Sequence, residues 1–154
     1  AFAENLIVQS GVGHRAYIAT MAPFGAEGQA RIARHRTLRA GKGFTTYERL
    51  QDLAGLCLPQ GCAALLEDLT NLFANEWFSQ RPEGAAERVL AGLQYLKDTA
   101  ALAVVVGNDL FSDGLPYDGE TLRYLRALAA LNQEAAAMAE EVYEVVCGIP
   151  LRRK

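Results

Sequence analysis

Apolar positions along the chain fall into two alternating patterns. Four short runs carry almost no polar interruption: "RAYIAT" at 15–20, "CAALLED" at 62–68, "ALAVVVGND" at 101–109 and "VYEVVCG" at 142–148. Such runs, bounded by small or polar residues, predict strands buried on both faces. Between them, apolar residues recur at helical spacing over 26–37, 46–57, 69–78, 84–98 and 119–140, and the first residues also read as helix. Segments 21–25, 39–45, 58–61, 79–83 and 110–118 read as loops. Strands alternating with helices predict an α/β fold, a mainly parallel sheet with helices on both faces. Asp118 is placed to cap the last long helix, and Leu122, Leu125, Leu128, Leu131 and Met138 give that helix an apolar stripe.

The chain has 154 residues, which fits one domain spanning 1–154 with a core of its own. Hydrophobic residues make up 51% and charged residues 21%, the balance of a folded globular protein. A net charge of −3 argues against nucleic-acid binding, so the basic cluster "ARIARHRTLRA" at 30–40 is local and suits a small anion. The longest apolar run, 99–107, is too short to span a bilayer, and the start lacks the basic region of a signal peptide. Cys57, Cys62 and Cys147 form no C-x-x-C, and with two histidines they support no structural zinc site. They read as reduced, buried thiols of a cytoplasmic protein.

Open parallel sheets bind ligands beyond the carboxyl ends of their strands. Those ends carry Thr20 and Met21, Glu67 and Asp68, and Asn108 and Asp109. Acidic strand ends beside an arginine-rich helix pair a magnesium site with a phosphate site; the same Asp and Asn residues read equally well as helix caps. On a helix, Arg31, Arg34, His35 and Leu38 share a face. Neighbouring cations bias His35 toward the neutral imidazole, a nucleophile, and guanidinium groups stabilise charge on a phosphoryl centre. The other reading is a solvated basic helix face. No G-x-S-x-G elbow, G-x-G-x-x-G fingerprint or Walker A sequence occurs in the 154 residues.

The order of five segments is informative: "YIAT" (17–20), "EGQARIARHR" (27–36), "LLEDLTNL" (65–72), "VVVGNDLFSDGLPYD" (104–118) and "EVVCGIPL" (144–151). Together they resemble the bifunctional adenosylcobinamide kinase/adenosylcobinamide-phosphate guanylyltransferase family of cobalamin biosynthesis, nearly end to end. The most specific elements are E-x-x-A-R-I-x-x-H and V-x-x-G-I-P. The resemblance implies a P-loop NTPase-like fold, a homotrimer, GTP and ATP as substrates, Mg2+, and adenosylcobinamide and its phosphate as the molecules acted on. It implies phosphorylation of adenosylcobinamide, then transfer of GMP through a guanylylated histidine, which falls on His35. The implied nucleotide contacts are Thr20, Met21, Ala22, Arg36, Thr37, Leu38, Arg39, Glu48 and Glu67; Asp68, Asn108 and Asp109 are pocket or metal residues by their places at the strand ends. The family begins with a strand and a G-x-x-x-S-G-K-S phosphate loop, and "AFAENL" reads as the first turns of the helix after it. The expectation is therefore that this N-terminal segment is missing from the sequence, which leaves the kinase half in question. Alternatives are a non-catalytic nucleotide- or corrinoid-binding paralogue, or a phosphotransferase for another small alcohol.

Overall fold

A computed structural model describes residues 2–22, 28–30, 33, 34, 37, 40–108, 110 and 117–154. A helix α1 (Phe2–Gln9) leads into strand β1 (Arg15–Ala19), and β2 (Phe44–Glu48) follows. A short 3-10 turn at Leu53–Gly55 precedes β3 (Ala63–Glu67). Then come α2 (Leu69–Trp77), α3 (Ala85–Thr99), β4 (Leu102–Val106), α4 (Gly119–Met138), β5 (Tyr143–Val146) and β6 (Ile149–Arg152). Residues 28–30, 33, 34 and 37 are helical, in line with the helix expected over 26–37.

Strands β1 to β4 form one parallel sheet in the order β2-β1-β3-β4. The continuous apolar runs of β1 and β3 are explained by their central places: Ala16, Ile18, Ala64 and Leu66 enter a large core on one face, Tyr17, Ala63 and Leu65 a smaller one on the other. Helices α2, α3 and α4 supply Leu72, Phe73, Val89, Leu93, Leu96, Leu128 and Leu131 to the large core. Helix α1 covers the opposite face with Ile7. The sheet therefore has helices on both faces, as expected for a P-loop-like α/β fold.

Four sequence expectations are corrected. The helix over 46–57 is instead the end of β2 and the 3-10 turn. Thr45, Thr46 and Tyr47 favour extended backbone and pair with Ala16, Tyr17 and Ile18, while Asp52 at φ 52° breaks any helical run. Leu53 is buried because α3 comes very close: a Cβ on Gly92 would lie 2.6 Å from the Leu53 Cβ, so only glycine permits this approach. The fourth expected strand, 142–148, does not join the parallel sheet. Its residues 143–146 pair antiparallel with β6 through a tight turn at Cys147 and Gly148, both at positive φ (51° and 82°), the geometry of a two-residue hairpin. On α4, Tyr124 is buried in place of the expected Leu122, which is exposed. Among the cysteines only Cys62 is buried; Cys57 and Cys147 are exposed, and all three are free thiols. Burial raises the Cys62 thiol above its ordinary pKa. Among the described residues no helix is long and apolar enough to cross a membrane.

Candidate functional site

The parallel register sets the carboxyl ends of the strands side by side. Ala19 pairs with Glu48 of β2 on one flank and with Glu67 of β3 on the other, and Glu67 pairs with Val106. Residues in register across a parallel sheet project to the same face. Glu48 and Glu67 therefore stand on the α1 face, two strands apart and about 9–10 Å across the sheet. Below them on that face lie Tyr17 and Leu65, so apolar core gives way to carboxylates at the strand ends.

One residue further along, the backbone turns to the other face. Thr20 is fully buried; its hydroxyl donates to the Asp68 carbonyl (2.8 Å) and accepts from the Asp68 amide (2.7 Å). The Thr20 amide donates to the Glu67 carbonyl at 3.2 Å. Asp68 begins α2: one carboxylate oxygen accepts the Asn71 amide (2.6 Å), the other the Asn71 side chain (3.1 Å) and the Asn108 side chain (3.0 Å). The Asn108 amide donates to Thr70 Oγ1 at 3.1 Å, which brings the end of β4 onto the first turn of α2. Of the two readings open for Asp68 and Asn108, cap or pocket, the described contacts are those of a helix cap and its support. The Asp68 charge, after burial, raises the Tyr124 hydroxyl above its ordinary pKa, so the two side chains share an environment.

The residues singled out from sequence separate into groups. Thr20, Glu67, Asp68 and Asn108 come together directly, with Glu48 across Ala19 from Glu67. Met21 is half-buried and Ala22 exposed just beyond Thr20. Thr37 is exposed on helical backbone, its hydroxyl donating to the Ala33 carbonyl at 3.1 Å. His35, Arg36, Leu38, Arg39 and Asp109 lie outside the described residues. Among the described residues, no three or more His, Cys, Asp or Glu side chains cluster to hold a metal ion.

Sequence reading missed Asn75. Its side-chain amide donates to the carbonyls of Thr20 (2.9 Å) and Leu50 (3.0 Å). An asparagine inside a helix is poorly suited to that backbone, and this was the one signal that it serves another purpose.

Against known families, residues 1–153 match the model of the cobinamide kinase / cobinamide phosphate guanyltransferase family. Comparison with curated proteins gives no match. A match over all but the last residue, on a parallel α/β sheet whose strand ends gather Thr20, Glu48, Glu67 and Asp68, settles the family: the chain belongs to the cobinamide kinase / cobinamide phosphate guanyltransferase family, nucleotide-using enzymes of cobalamin biosynthesis.

Proposed function

We propose that the protein transfers GMP from GTP to adenosylcobinamide phosphate through a guanylylated His35, and that the same fold serves the preceding phosphorylation of adenosylcobinamide. The observation that carries this reading is the family match over residues 1–153, within which the H of E-x-x-A-R-I-x-x-H falls on His35. In the first half-reaction a neutral imidazole nitrogen attacks the α-phosphorus of GTP. A nitrogen–phosphorus bond forms, the bond to the bridging oxygen breaks, and pyrophosphate leaves with the electron pair. In the second, a phosphate oxygen of adenosylcobinamide phosphate attacks the same phosphorus and the imidazole leaves, regenerated. The covalent intermediate divides one transfer into two and conserves the activated GMP.

The remaining residues take supporting parts. Arg36 and Arg39 bind phosphate oxygens, where a guanidinium fork is better matched than an ammonium. Thr37 and Leu38 continue that contact, and the backbone of Thr20, Met21 and Ala22 borders the nucleotide from the end of β1. Glu48 and Glu67 flank Ala19 and suit the hydrogen-bond donors of a guanosine. Asn108 borders the pocket from the end of β4, and Asp109, the next residue in the sequence, is assigned to the same pocket. Magnesium takes one or two carboxylates from a protein and the rest of its ligands from substrate phosphates and water. Glu67 would supply one such carboxylate, and a nucleotide-bound Mg2+ there would screen phosphate charge; both Asp68 oxygens are already engaged by N–H groups. The assembly is a homotrimer of a cytoplasmic protein.

Intact-protein mass after incubation with GTP and Mg2+ tests the reading. The expected result is a gain equal to one GMP, absent in His35→Ala although the variant remains folded. An undiminished gain in His35→Ala removes the histidine from its role, and no gain either in the unaltered chain or in one carrying the expected N-terminal phosphate loop overturns guanylyl transfer.

A further inference from the structure

The last ladder contact between β1 and β2 is the Arg49 amide donating to the Ala19 carbonyl at 2.9 Å. Beyond it the two chains separate, one toward Met21 and Ala22, the other toward Leu50 and Asp52. The geometry points to Asn75 as a positioning residue that fastens these two ends together and so sets the width of the nucleotide cleft between them. This inference rests on the reading of Thr20–Ala22 and Glu48 as nucleotide contacts.

The fastening is a single NH2 group whose two hydrogens go to two different backbone carbonyls, those of Thr20 and Leu50. Helix α2 gives it a fixed base: Asp68 caps its first turn, and Leu72 and Phe73 are fully buried in the large core. The loop beyond β2 is held to the same helix twice more. Gln51 Nε2 donates to the Asn75 carbonyl at 2.5 Å, and the Asp52 amide donates to Glu76 Oε1 at 2.7 Å. Those two bonds secure the loop to α2; only the Asn75 side chain, among the described residues, joins the loop and the end of β1 through one group. An aspartate at this position has the same shape and no N–H, and places a carboxylate oxygen against two carbonyls. Asn75 is not a catalytic residue: its donors are directed at backbone.

The test compares Asn75→Asp with Leu93→Ala, a change in the α3 part of the large core that serves as a control for stability. GTP affinity, the urea midpoint and exchange of the hydrogen-bonded amides of Arg49 and Asp52 are measured on each chain. Asn75→Asp is expected to weaken GTP binding about tenfold, as for one lost, partly buried hydrogen-bonding group, while adduct formation at saturating GTP is largely kept. Leu93→Ala is expected to lower the urea midpoint at least as far and to hold GTP affinity within about twofold. Equal GTP affinity in Asn75→Asp and the unaltered chain overturns the inference, as does an equal loss in the control. If the unaltered chain binds no GTP, the functional reading fails, and amide exchange then decides the fastening. Faster exchange at Arg49 and Asp52 in Asn75→Asp alone supports it; unchanged exchange overturns it.

Discussion

Two carboxylate oxygens of Asp68 accept three N–H groups, one from the backbone of α2 and two from asparagine side chains. Each partner predicts a different response to substitution. Asparagine caps helices about as well as aspartate, so Asp68→Asn keeps the bond from the Asn71 amide but opposes its own NH2 to that of Asn108. Alanine loses all three. Urea denaturation is expected to rank the unaltered chain above Asp68→Asn and Asp68→Ala last, the alanine variant down by about 1–2 kcal/mol. A loss of only a few tenths in Asp68→Ala contradicts the capping role. The sequence could place Asp68 at a strand end but could not choose between cap and metal ligand, because the choice depends on Asn108, 40 residues away, reaching the same carboxylate. Asn75 shows the same limit more sharply: its two acceptors, Thr20 and Leu50, are brought to it by the parallel pairing of β1 with β2.

Helix α4 carries a pH-dependent cap. The Asp118 carboxylate accepts the Thr121 amide at 2.7 Å, and this bond holds the carboxyl below its ordinary pKa of 3.8. A carboxyl lowered by folding stabilises the folded form above its unfolded value and loses that contribution as pH falls through the folded value. The Thr121 amide resonance is therefore expected to titrate with a midpoint below 3.8, and the titration to vanish in Asp118→Asn, which keeps the cap. A midpoint at or above 3.8 contradicts the assignment. This cap was legible in the sequence, since Asp118 stands immediately before a long apolar stripe. The central strands were legible for a similar reason, their side chains being buried on both faces. The edge strand β2 was not. Its exposed Thr45 and Thr46 give no apolar run, and Leu50, Leu53 and Leu56 imitate helical spacing although Leu53 turns into the core and Leu50 remains outside. Strand β5 was found, but its pairing was misplaced, since an apolar run alone does not say which sheet it enters.

The molecule has two cores of unequal size on the two faces of one sheet. The large core joins β1 and β3 to α2, α3 and α4, whereas the small one holds α1 through Ile7 against Tyr17, Ala63 and Leu65. Polar ties supplement the small core: Lys42 pairs with Glu4 at 2.5 Å, and Arg15 donates to the carbonyls of Lys42 and Val8. Partly exposed ion pairs of this kind contribute little, so Ile7 carries most of the attachment of α1. Elements joined by few apolar contacts open below the global unfolding free energy. Ile7→Ala is expected to speed amide exchange through Phe2–Gln9 and leave Ala85–Thr99 near its original protection. Phe73→Ala, at the centre of the large core, is expected to lower protection everywhere by about 3–5 kcal/mol. The comparison has a functional side, because Glu48 and Glu67 project on the face that α1 covers. Release of α1 loosens the ground beneath these carboxylates while the Thr20–Asp68–Asn108 network stays seated on α2. Ile7→Ala should therefore weaken GTP binding more than its effect on the urea midpoint suggests. If instead exchange rises equally in α1 and α3, the two faces unfold as one unit and the independence of the small core is excluded.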